Sequence, residues 1–512
     1  MSRFVQITRA TAPAGAFAKQ VASLVLLAPV FAFLFLCLSC SPAYGDVGVV
    51  LNESLDTSLA RITGSGHSAV YFSRICPESP IELRLCRADE RGSVMSNYTT
   101  LGEDEPFEWN VVPLSVYLYG VEDPQDRPLF GSRKIKRALE ERYRERFLSA
   151  YCARRFCRTS NSAEWREMVG ATISRSIYVF VVATTVEQDL ELIAQLNSES
   201  NVNHFNGVTR NCATFVRRVI NTYFSNAAKS DYFNDFGLTT PKAIARSFSH
   251  YAERHPESNF RVLHFAQLPG TIKRSTECRA GTEQLYHSKK LLVPMLIFAD
   301  YGVPVVAASY ALTGRFNPER ELENHPTAQA TAIAQEIQKA KSEKDTARAE
   351  DLAALQRQER EQVVGTPEEW KQYRNSFEAL AGEAIREEII PDRDYLSHFF
   401  KHLDQVGTPV LDGNGAAWMK VSENGKTTML GLSASNVLAP GSDARLAYAL
   451  VLARTNSVLK SPKHSREIML EFRQNWSVLQ SGRLMHGSSV ASTSSPATAI
   501  HSTPAAPSVA NQ

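Results

Sequence analysis

The chain has 512 residues, enough for about three domains. Its 56 basic and 54 acidic residues leave a formal charge of +2, which excludes a nucleic-acid binder that works through bulk charge. At 43% hydrophobic and 21% charged it can build a large core, and eight cysteines are too few for a disulfide scaffold.

Arg3, Arg9 and Lys19 precede an apolar run from Val21 to Leu38, and the small-residue site Ala43-Tyr44-Gly45 follows. That three-part layout predicts an export signal over residues 1–45 with cleavage after Gly45. Lipidation of Cys40, or retention of the 18-residue run as an anchor, leads to the same placement. In each case the following domain is expected in the periplasm or on the membrane-anchored cell envelope of a bacterial-type cell.

Residues 46–285 read as one α+β domain. Runs rich in Val, Ile, Tyr and Phe predict strands at Ser68 to Phe72, Ile81 to Cys86, Val111 to Tyr119, Tyr178 to Thr184 and Arg261 to Phe265. Helices are predicted from Ser132 to about Cys157, from Val186 to about Asn197, and from Cys212 onward. Strands and helices alternate irregularly, which favours α+β over a βαβ series.

An apolar segment, residues 286–314, contains the 22-residue run Leu291 to Leu312. This is long enough to span a membrane, although Asp300 sits near its middle; a buried helical hairpin is the other reading. Residues 315–365 form a charged helical spacer, with Thr327 to Gln362 read as one long solvated helix. A small α+β module, residues 366–480, opens with a capping box at Thr366 to Glu369. It continues with a hairpin turning at Asn424-Gly425 and a helix from Asp443 to Ala453. The last segment, 481–512, is Ser, Ala, Thr and Pro, the composition of a disordered tail.

Two short segments carry chemistry. Gly64-Ser65-Gly66-His67-Ser68-Ala69-Val70-Tyr71-Phe72 places a histidine at the entrance of a strand, after a glycine pair. Asn211-Cys212-Ala213-Thr214-Phe215-Val216 begins a helix with a thiol in its first turn. There the helix dipole and free N–H groups favour the thiolate, and a nearby imidazole would serve as base and later as acid. No metal-ligand spacing, Walker loop or dinucleotide glycine loop is present, so no cofactor is expected.

GHSAVYF followed by NCATFVRRVI resembles the circularly permuted papain-like (NlpC-type) thiol hydrolase superfamily. It is most like the Lnb N-terminal periplasmic domain family and more distantly similar to lecithin:retinol acyltransferase-like proteins. The likeness covers roughly residues 60–225. It implies an antiparallel sheet packed on a Cys-bearing helix, with Cys212 as nucleophile and His67 as base, acting on an amide or ester bond. The third residue should orient His67 from the next strand, expected at Ile81 to Cys86, where Glu82 is the candidate. Asn211, chiefly a helix cap, and His204 are candidates for lining the substrate cleft. A peptide, cell-wall or lipid substrate and membrane association are expected, with no nucleic acid. A catalytically silent binding domain and an envelope scaffold are the rival readings. Cys76 and Cys86 are spaced to close a disulfide loop, and Cys152 could pair with Cys157 or Cys278.

Overall fold

The computed structural model describes residues 45–55, 66–97, 107–151, 167–202, 209–235, 237–287, 308, 310–311 and 315–481. The expected export signal up to Tyr44, Gly64, Ser65, His204, Cys152, Cys157, most of Leu291 to Leu312 and the tail from 482 lie outside these residues. Among the described residues no helix is long and apolar enough to cross a membrane.

Mixed α+β architecture with antiparallel sheets is what the chain adopts. Strands β1 (Gly45–Asn52), β2 (His67–Phe72), β3 (Ile75–Ser79), β4 (Glu82–Leu85), β5 (Ser93–Ser96) and β6 (Asn110–Pro113) precede helices α1 (Leu114–Tyr119) and α2 (Arg133–Phe147). Then come β7 (Ile177–Thr184), α3 (Val186–Ser198), α4 (Cys212–Tyr223), α5 (Pro241–Glu253) and β8 (Arg261–Phe265). The main sheet has the order β6-β5-β2-β1-β7-β8, and every neighbouring pair is antiparallel.

This sheet is covered on both faces, and the alternation along β1 shows how. Val47, Val49 and Leu51 pack with Val216 and Ile220 of α4 and Ile244 and Phe248 of α5, while Val50 packs with Val112, Tyr117 and Tyr143 on the other side. A strand buried on both faces reads as a plain Val/Leu run rather than an alternating one. That is why the central strand Gly45–Asn52 escapes a search for period-two patterns.

Three sequence expectations are corrected here. Val111 to Tyr119 is not one strand, because Pro113 has no N–H to extend the ladder; the chain turns into α1 there and leaves it through Gly120 at φ 79°. The predicted strand around Ile81 to Cys86 exists as β4 but pairs only with β3, in a separate two-stranded sheet. Cys278 is a free buried thiol and is not the partner of Cys152.

The predicted disulfide does form, between Cys76 and Cys86, and it ties β3 to the residue just after β4. Loop-closure entropy for a separation of 10 residues corresponds to about 2–3 kcal/mol. The Cys76→Ser, Cys86→Ser double variant should therefore lose about 2 kcal/mol in urea unfolding. A loss below about 0.5 kcal/mol would mean that the packing of Ile75 and Leu83 holds the hairpin unaided.

Beyond α6 (Pro318–Asn324), the expected single charged helix is two, α7 (Ala328–Ser342) and α8 (Thr346–Val364), folded into a hairpin. Lys344 adopts φ 59° and the Asp345 carboxylate caps α8 by accepting from Arg348 N. Ile333 and Ile337 of α7 are buried, whereas α8 buries Ala349 and Glu359 and leaves Leu355 exposed, so the first helix packs and the second is largely solvated.

The C-terminal part comprises α9 (Pro367–Arg386), α10 (Tyr395–Val406), β9 (Gly407–Leu411), β10 (Ala417–Glu423), β11 (Lys426–Gly431), α11 (Ala444–Leu459) and α12 (Arg466–Gln480). Thr366 caps α9 as expected, and Asn424 and Gly425 take positive φ at the β10–β11 turn. This module does not stand apart. Leu129, Phe130, Ile135 and Leu139 of the first domain share one hydrophobic cluster with Phe399, Phe400, Leu403 and Leu450.

Candidate active site

Antiparallel pairing decides what comes together. The end of β1, the start of β2, the end of β5 and the start of β6 all lie at one end of the sheet, and each carries a polar residue there. Asn52 pairs with His67 across β1 and β2, and Ser96 pairs with Asn110 across β5 and β6. Asn52, Ser68, Ser96, Asn97 and Asn110 are all buried. A row of buried polar groups at a sheet end costs stability unless it is hydrogen-bonded or used.

Helix α4 packs across β2 at this end. Its apolar face, with Phe215, Val216, Val219 and Ile220 buried, sets its rotation, and Cys212 is its first residue. Asn211 is the cap: its Oδ1 accepts from Thr214 N at 2.9 Å and its Nδ2 donates to Thr239 O at 3.0 Å. Both ends of that amide are held by the protein, which assigns Asn211 to positioning Cys212 rather than to contacting substrate.

His67 begins β2, and its Nε2 lies 2.8 Å from Ser96 Oγ. The residue that holds the imidazole is thus a serine on β5, the strand that actually neighbours β2. Glu82 does not occupy this position: it is exposed on the separate β3–β4 sheet. Burial holds His67 down to about 3, Arg175 pushes the same way, and Glu167, ion-paired with Arg175, opposes. His67 is therefore a neutral imidazole at pH 7.

The thiol of Cys212 is also neutral. Burial pushes it up, outweighing the backbone N–H groups of Ser68, Ala213 and Cys212, which pull it down. The N–H groups at the helix terminus do favour the thiolate, but burial outweighs them.

Gly66 has a packing role. At φ 67°, a Cβ there would stand 2.3 Å from both Asn52 O and Cys278 Sγ. This lets Cys278 donate to Asn52 O at 3.0 Å, and it fixes the approach of the chain to His67. Asn52 Nδ2 donates to Tyr117 OH at 2.7 Å, leaving Asn52 Oδ1 without a partner; the buried Oδ1 atoms of Asn97 and Asn110 have none either. Three such acceptors at one end of the sheet suit a polar substrate with N–H groups.

Ser96 and the Asn52–Tyr117 pair carry no spacing signal in the sequence. Ser68 stands within the quoted motif, yet only its position beside Cys212 gives it a role. No family model, curated protein or solved structure matches this chain.

Proposed function

We propose that the protein is an exported, cysteine-dependent hydrolase or acyltransferase of permuted papain-like type, acting on an amide or ester bond in a peptide, cell-wall or lipid substrate of the bacterial envelope. One observation carries this reading. The helix that presents Cys212 is packed on β2, which brings the thiol beside Ser68, and the adjacent His67 is held by Ser96.

In the proposed reaction neutral His67 takes the proton of Cys212 as Sγ attacks the carbonyl carbon. The first-turn N–H groups of α4 stabilise the resulting oxyanion. Collapse breaks the bond to the amine or alkoxide, which leaves with the proton from His67, and a thioester remains on Cys212. Water or an acceptor amine then resolves it. A neutral pair is suited to this because charge develops only when substrate is present.

Trapping tests the reading. An activated acyl ester should leave an acyl group on Cys212, detected by peptide mass spectrometry, and His67→Gln should suppress it. Acylation of Cys278 instead, or none, would favour a silent binding domain.

A pH profile is a second check. With His67 neutral down to about 3, kcat/KM should stay level from pH 7 to pH 5, since the acid limb reports the base in the free enzyme. An acid limb near 6.5 would show His67 titrating as an ordinary imidazole and contradict its lowered value.

A further inference from the structure

Away from the residues used above, a second cluster of ligating groups stands out. Glu253 is the last residue of α5, Glu321 lies in α6, and His325 caps α6 one turn later. One ligand atom from each lies within 4.8 Å of the others. His325 Nε2 is 3.5 Å from Glu253 Oε1, too long for a good hydrogen bond, and the His325 side chain is only 6% exposed. Its Nδ1 and the Oε2 of Glu321 are buried without hydrogen-bond partners. Two carboxylates and an imidazole thus converge with unspent lone pairs, in a place where a native protein ordinarily leaves none.

The scaffold is rigid. His325 N donates to Glu321 O at 2.9 Å, and its carbonyl accepts from Val262 N of β8 at 2.7 Å. Its ring packs against Phe260, with centroids 5.1 Å apart. Glu253 is 39% exposed and leaves one side open to water.

We infer that Glu253, Glu321 and His325 form a binding site for a divalent first-row transition cation of the Zn2+ or Mn2+ type. The donor set selects the class. Imidazole nitrogen with two carboxylates suits these ions, whereas Ca2+ takes six to eight oxygens and Mg2+ keeps most of its waters. Three protein ligands and an open position match a zinc centre with one bound water. The ion would pin α5 to α6 and so brace the edge strand β8, which α6 packs against.

The test uses the full chain, stripped with chelator and titrated calorimetrically with Zn2+, Mn2+ and Mg2+, alongside Glu321→Gln and His325→Gln. One equivalent of Zn2+ should bind and raise the thermal midpoint, with Mg2+ giving no response. Each variant should weaken Zn2+ binding by at least about tenfold. Bound Co2+ should show a spectrum without a thiolate charge-transfer band, which separates this site from Cys212 and Cys278. Glu321→Gln keeps the side-chain shape, and His325→Gln provides an independent arm should either variant fold poorly. Lack of Zn2+ binding by the wild type at about 1 mM, a thiolate band, or unchanged affinity in a folded variant would overturn the assignment.

Discussion

Cys212→Ala should abolish turnover, by about a thousand-fold or more, while leaving the fold intact. The nucleophile supplies the covalent step, and no neighbouring group in the described site replaces it. The structural cost is small for a definite reason. The helix is held by its Asn211 cap and by Phe215, Val216, Val219 and Ile220, none of which depends on the sulfur. Exchanging a thiol for a methyl group should cost about 1 kcal/mol at most. Steady-state kinetics and urea unfolding on the same preparation check both halves. Full turnover in the alanine variant would move the nucleophile elsewhere, and global unfolding would make Cys212 a core residue only.

Phe130→Ala should be the most destabilising of the single substitutions considered, costing about 3–5 kcal/mol. Phe130 is fully buried, and its ring stacks on Phe400 with centroids 5.4 Å apart and planes 18° apart. It belongs to a segment tied into the C-terminal module by backbone bonds: Leu129 N donates to Leu432 O at 2.6 Å, and Arg454 Nη1 donates to Leu129 O at 2.7 Å. Removing the ring leaves a cavity in a core that the two halves share, so both should lose stability in one transition. Urea unfolding followed by tryptophan fluorescence and by far-UV circular dichroism reads this out. Two separate transitions with only one displaced would mean that the halves fold independently.

Local rules were enough for a definite part of this protein. Asn211 before an amphipathic run specifies a helix that opens at Cys212, Thr366-Pro367 opens another, and Asn424-Gly425 turns a hairpin, because each rests on interactions within a few residues. The Cys76–Cys86 loop belongs to the same class. His67 and Cys212 stood out as a pair only through motif resemblance, and nothing local shows that they share a site.

Tertiary structure decided the rest, since it depends on pairing between distant segments. Strand order placed β5 beside β2, so Ser96 rather than Glu82 meets His67. Burial, a property of the whole packed domain, then reversed the expected ionisation of Cys212 by outweighing the helix terminus. The same holds for Glu253 with Glu321 and His325, and for Phe130 with Phe400, pairs brought together across long stretches of chain. Side-chain period and capping act over one or two turns, whereas desolvation and cross-strand contact are set by whichever segment the core draws alongside.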